Sequence, residues 1–216
     1  MILKNNPLVY NVSLVILIII YSVGLTGFLS SHREIMVQLT PYTLLLSMIL
    51  ILINQAEWDR FLFLFIITML IGGYLIEVAG VKTGLLFGHY SYDHALGYEL
   101  LDVPLIIGVN WFVLVFSSGM LSNLFNINRF LRSVIASVLM VIIDFSLEPV
   151  AMNYDFWSWE NDTVPVQNYV SWFFISLIFQ GLFQRLRLKR INRFAVILFI
   201  VQWVFLLTIS LAGYIS

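Results

Sequence analysis

Two carboxyl side chains, Asp144 and Glu148, interrupt the otherwise nearly apolar run "VIIDFSLEPVA" at 141–151. Four residues is close to one helical turn, so a helix would present both carboxyls on one face. An ionised carboxylate at the centre of a bilayer costs about 2.5–3.5 kcal/mol on insertion scales. Holding an aspartic acid neutral at pH 7 costs about 4 kcal/mol, at about 1.36 kcal/mol per unit. These costs are comparable, so local partners decide the charge. Two neighbouring carboxyls in a low dielectric also resist ionising together. The expected state is one neutral acid beside one carboxylate, which is a general acid paired with a general base. A purely structural reading has both groups satisfied by polar side chains of other helices, with Glu148 reaching the interface. Glu77 is a third candidate. It follows "IGGYLI", where Gly72 and Gly73 permit close helix approach, and its plain reading is interfacial exposure.

The loop "GVKTGLLFGHYSYDHALGYELLD" (80–102) adds His89, Asp93 and His94. Asp93 is a further acid–base candidate. As metal ligands the three are poorly spaced, since five residues do not bring two histidines to one helix face, and the chain has only 3 histidines. No metal is expected. Tyr90, Tyr92, Tyr98, Trp157 and Trp159 read as an interfacial aromatic belt. Their functional alternative is a lining for a conjugated ligand or a carbocation, which ring faces stabilise.

These groups must be positioned by membrane-spanning helices. Of 216 residues, 61% are hydrophobic and 11% charged, against about 25% charged in a soluble domain. The expected fold is an all-α integral membrane protein, a single multi-pass domain over 1–216. A span needs about 20 mostly apolar residues. Stretches 8–29, 37–55, 61–79, 103–123, 133–152, 169–184 and 194–215 qualify, giving about seven transmembrane helices. The first is longer than a signal-peptide core and lacks a clean cleavage site, so it reads as a retained span. None shows the alternation of barrel strands.

Lys4, Arg60, Arg129, Arg132, Arg185, Arg187, Lys189, Arg190 and Arg193 fall on one side, against Arg33 and Lys82 on the other. This bias puts the N-terminus in the cytoplasm of a cell-membrane protein. The basic stretch "QRLRLKRINR" then serves as a topology anchor, and with a net charge of −1 no nucleic-acid partner is expected. Asp144 would lie about 12 Å below the outer end of its span, and Glu148 one turn nearer the surface. Cysteine is absent, so thiol chemistry is excluded.

"YDHALGYELLDVPLIIGVNWF" (92–112) and "YDFWSWENDTVPVQNYVSWF" (154–173) share Tyr-Asp, Val-Pro and, after six intervening residues, Trp-Phe. Each follows a span carrying a carboxylate. The pattern suggests a parallel duplication of spans 3–4 and 5–6 about an axis along the membrane normal, with sites at the repeat interface. It also gives Trp111 and Trp172 related positions. Chance likeness between apolar stretches is the competing reading.

The set "Glu77…Gly80…Thr83-Gly84…Phe87-Gly88-His-Tyr90-Ser-Tyr92…Leu96-Gly97…Val103-Pro104", "Asp144…Glu148-Pro149-Val-Ala151…Trp157-Ser-Trp159" and "Val164-Pro165…Asn168…Trp172" resembles the membrane carotenoid biosynthesis family, which includes carotenoid 1,2-hydratases. The resemblance covers roughly residues 70–175. It implies a multi-pass enzyme that hydrates a terminal isoprenoid double bond of a lycopene-type carotenoid to a tertiary alcohol, without a redox cofactor. The substrate is lipid-soluble, and other membrane enzymes of the carotenoid pathway are candidate partners. Asp144 is then the expected acid and Glu148 or Glu77 the base that activates water. Tyr90, Tyr92, Trp111, Trp157, Trp159, Asn168 and Trp172 are the candidate substrate-binding residues. A carotenoid end-group cyclase, which also begins with alkene protonation, is the nearest alternative. A proton-coupled transporter is the non-enzymatic one. A retinal protein is disfavoured because 194–215 contains no lysine, and a diphosphate transferase because "NDT" (161–163) is too isolated a motif.

Overall fold

In the computed structural model, residues 6–186, 188 and 190–213 are described, which leaves Lys4, Arg187 and Lys189 outside. Among the described residues there are seven α-helices: α1 (Pro7–Phe28), α2 (Arg33–Ile53), α3 (Arg60–Thr83), α4 (Ile106–Ser122), α5 (Arg129–Asn153), α6 (Val166–Arg185) and α7 (Arg193–Gly213). Each expected stretch falls on one of them, and residues 214–215 of the last lie outside the described chain. Short polar side chains start three of the helices. Asn6, Asp59 and Asn128 accept from the backbone N–H groups of Leu8, Leu62 and Leu131 at 3.0, 2.8 and 2.9 Å, which satisfies donors a helix start leaves unpaired.

Helices α1, α2, α3, α5 and α7 are long and apolar enough to cross a bilayer. Their outward faces remain apolar, as at Leu8, Ile18, Phe63 and Leu64, a surface suited to lipid and not to water. Helix α4 is different. Its 17 residues extend about 26 Å, and all but four of them are buried. It packs against α2, α3, α5, α6 and α7 and forms the axis of the bundle. Gly108 makes the α3 crossing feasible, because a Cβ there would lie 2.2 Å from the Leu70 carbonyl oxygen.

The expected fourth span began at residue 103. Instead Val103–Pro104 (β3) pairs antiparallel with Glu99–Leu100 (β2), and the helix starts only at Ile106. Helix α6 starts before the expected 169 and buries Asn168, Ser176, Gln180 and Gln184, whose polarity hid its length. Tyr90–Tyr92 (β1) and Trp157–Trp159 (β4) form an antiparallel ribbon in register Tyr90↔Trp159, Ser91↔Ser158, Tyr92↔Trp157. The ribbon lies over one end of the bundle and was not expected from the sequence.

Candidate active site

Alternation along the ribbon sorts its side chains. Ser91 and Ser158 face out, while the Tyr and Trp rings turn toward α3 and α5. Tyr90 and Tyr92 donate to Glu77 Oε2 at 2.6 and 2.9 Å, and Trp111 Nε1 donates to Glu77 Oε1 at 3.0 Å. Trp157 and Trp159 donate to Glu148 Oε2 at 3.0 and 2.7 Å. Asn168 Nδ2 bridges the remaining pair, at 2.9 Å from Asp144 Oδ2 and 3.3 Å from Glu148 Oε1. Glu77, Asp144 and Glu148 are all buried, with relative exposures of 5%, 1% and 2%.

Donor chemistry sorts the three carboxyls. Indole N–H and amide NH₂ groups only donate, so Glu148 is held as an acceptor on both oxygens, and Glu77 on Oε1. Asp144 Oδ1 is buried and has no hydrogen-bond partner among the described residues. It is the oxygen of the cluster on which a proton meets no competing donor. The ion pairs among the described residues, Lys82 with Asp102 and His94 with Glu99, do not touch the cluster. Burial, and after it the charge of Glu77, pushes the Tyr90 and Tyr92 phenols well above their ordinary range, so both stay protonated donors.

The carboxyls face a chamber of about 20 Å³ whose wall includes Tyr90, Tyr92, Trp157, Trp159, Asn168 and Trp172. About 10–15 Å³ suffices for one water. A second cavity of about 290 Å³, almost wholly apolar, runs between α1, α2, α4, α5 and α7. The two share Ile107, Asn110, Leu147 and Trp157 in their walls. Ile19, Val23 and Leu39 line the larger cavity and are also exposed on the outside of the bundle, so it opens sideways between α1 and α2. Such a shape is apolar and open at one end and reaches the carboxyl chamber at the other.

The structure thus gathers Asp144, Glu148, Glu77, Tyr90, Tyr92, Trp157, Trp159, Asn168 and Trp172. Trp111 stands behind the wall, stacked on Trp172 at 4.5 Å and 13°. Asp93 stays apart: one residue past β1 and on the side of Ser91, it accepts from Ser158 at 3.2 Å beside the ribbon's outward serine row. His89 packs on Gly84 and His94 is exposed. The Tyr-Asp part of the sequence match does not carry over either. Tyr92 lies in the ribbon, whereas Tyr154 ends α5 and donates to the Phe28 carbonyl. Sequence reasoning missed Ile107, Asn110 and Leu147. Asn110, a lone amide within an apolar helix, was the available signal.

Fold and site are those of a helical membrane protein with a buried carboxyl centre. The family described as carotenoid biosynthesis protein matches residues 37–215, and the chain belongs to it. A Haloarcula japonica protein named bisanhydrobacterioruberin hydratase is 35% identical over 146 residues, which is 61% of this chain and 49% of that protein. The chain therefore spans about half the length of the curated relative it matches. No solved structure matches it.

Proposed function

We propose that the chain is a carotenoid hydratase of the cell membrane. It adds water to a terminal isoprenoid double bond of a lycopene-type carotenoid and gives a tertiary alcohol. The supporting observation is the unpartnered, buried Oδ1 of Asp144, placed beside a fully hydrogen-bonded Glu148 at a chamber sized for one water. That the Haloarcula japonica relative is named a hydratase supports the same reading.

In this mechanism the Asp144 proton goes to the less substituted alkene carbon. The π electrons form the C–H bond and leave a tertiary cation. Trp and Tyr ring faces shield the cation. Water supplies the electron pair of the new C–O bond and releases its proton to Glu148, from which it returns to Asp144. The balance is alkene plus water to alcohol. The substrate enters from lipid between α1 and α2, and seven spans with a cytoplasmic N-terminus place the site in the outer half of the bilayer. The single domain carries a parallel duplication of α3–α4 and α5–α6. Cyclisation shares the first step, but the small chamber favours water over a second folded-back double bond.

Expressing Asp144→Asn in a lycopene-producing host tests the reading. The hydrated pigment should disappear from the mass profile while the protein remains in the membrane. Normal hydration by this variant removes Asp144 from the mechanism.

A further inference from the structure

Asn110 is the one amide in the wall common to both cavities; the other shared residues, Ile107, Leu147 and Trp157, present apolar surface or an indole already bonded to Glu148. Of the buried serines of α4, Ser118 donates to the Leu114 carbonyl and Ser122 to the Gly119 carbonyl, while the Ser117 hydroxyl is sealed in the packing away from both cavities. Gln180 and Gln184 of α6 are each tied to α4 groups. The Asn110 amide has no hydrogen-bond partner among the described residues. The side chain is half-buried and faces both cavities, so a water or ligand there can pair with it.

The neighbouring residues narrow what that is. Trp111, next in sequence, is committed to Glu77, and Asn168, on the opposite wall, is committed to Asp144 and Glu148. Asn110 alone faces the boundary where the end of an apolar chain in the larger cavity would meet a water in the smaller one. Its amide can accept from a water and donate to it, which fixes the direction of the oxygen lone pair.

We infer that Asn110 is a catalytic residue that holds the attacking water against the cation, a role distinct from proton donation. The inference rests on the hydratase reading. Without that grip the cation still forms at Asp144 but gives up to Glu148 the original hydrogen of the carbon just protonated and reverts to alkene. In deuterated water this leaves deuterium in the recovered alkene, with one C–D bond made and one C–H bond broken.

The experiment supplies lycopene in D₂O to membranes carrying the wild type, Asn110→Leu, Asn110→Ser or Asp144→Asn, and reads alcohol and deuterated alkene by mass spectrometry. Asn110→Leu should lose about 100-fold of the alcohol, the scale of one misplaced reacting group, and gain deuterated alkene. Asn110→Ser, which can still hold water, should recover part of the alcohol. Asp144→Asn should lose both products. Unchanged alcohol from Asn110→Leu overturns the assignment, and so does a parallel loss of alcohol and deuterium, which marks a structural residue. Deuteration that persists in Asp144→Asn overturns the acid assignment instead. A wild type that neither hydrates nor deuterates lycopene overturns both readings.

Discussion

Glu77 on α3 and Glu148 on α5 occupy matching places in two halves of the molecule. Each accepts two hydrogen bonds from ribbon aromatics, tyrosines on one side and tryptophans on the other. The ribbon register is centred on the Ser91–Ser158 pair, and Trp111 of α4 stacks on Trp172 of α6, as a two-fold relation would place them. The halves part at two positions. One turn before the glutamate, the first half has Gly73 and the second Asp144. Four residues before the tryptophan, the first half has Ile107 and the second Asn168. At Gly73 even a Cβ would come within 2.4 Å of Trp111 Cβ. In the first half Trp111 closes the space one turn before the glutamate, which leaves a single carboxyl hydrogen-bonded on both oxygens. The second half opens that space and fills it with a second carboxyl and its bridging amide. In the proposed reading, one framework thus serves as a brace and, with two polar replacements, as an acid–base centre.

The largest effect should follow from removing what the second half alone possesses. Asp144→Asn keeps the shape and the hydrogen bond to Asn168 but has no proton to give. Product formation should fall about 1,000-fold, within the usual range for a positioned acid, as measured by alcohol formed per folded protein. Glu148→Gln should cost about 100-fold, because the water loses its acceptor while the acid survives. If Glu148→Gln were the more damaging of the two, the assignment of acid and base would be reversed.

Asn168→Leu probes the amide that holds the two carboxyls in register. It leaves Asp144 Oδ2 and Glu148 Oε1 without their shared donor. A loss of about tenfold in rate is expected from misplacement alone. Asn168→Asp should be worse, because it puts a third acid where a donor is needed.

Much of this difference between halves was legible in the sequence, and its limits have physical causes. Carboxyls at 144 and 148 stand out because charge in an apolar span is expensive, and seven apolar stretches follow from the thickness of a bilayer. Val-Pro and Trp-Phe keep one spacing in both halves, which drew attention to Trp111 and Trp172, and the two rings stack on each other. The ribbon stayed hidden because three-residue strands carry too little periodicity. It also set the error on Tyr154: Glu77 lies 34 residues before its tryptophan and Glu148 only 24 before the other, so loops of unequal length bring different residues to the same place. Asp93 was legible as an acid but not as one that faces outward, since the ribbon beside it decides that. The cavity walls at Ile107 and Leu147 look like any other apolar positions until the helices are packed.

The smallest effect on chemistry should come from the brace. Glu77→Gln keeps an acceptor for Trp111 Nε1 and turns an amide toward Tyr90 and Tyr92, whose hydroxyls can accept in place of donating. Hydrogen bonds to a charged acceptor become neutral ones, a loss of about 1–3 kcal/mol in stability. The thermal midpoint in detergent should drop, while alcohol formed per folded molecule stays within about threefold of the wild type. Glu77→Leu leaves two phenols and an indole without an acceptor and should lower the midpoint further, again without a selective loss of rate. A collapse of rate in Glu77→Gln with the midpoint unchanged would make Glu77 a participant in proton transfer. The two halves would then share one active centre, and the distinction between brace and centre would fail.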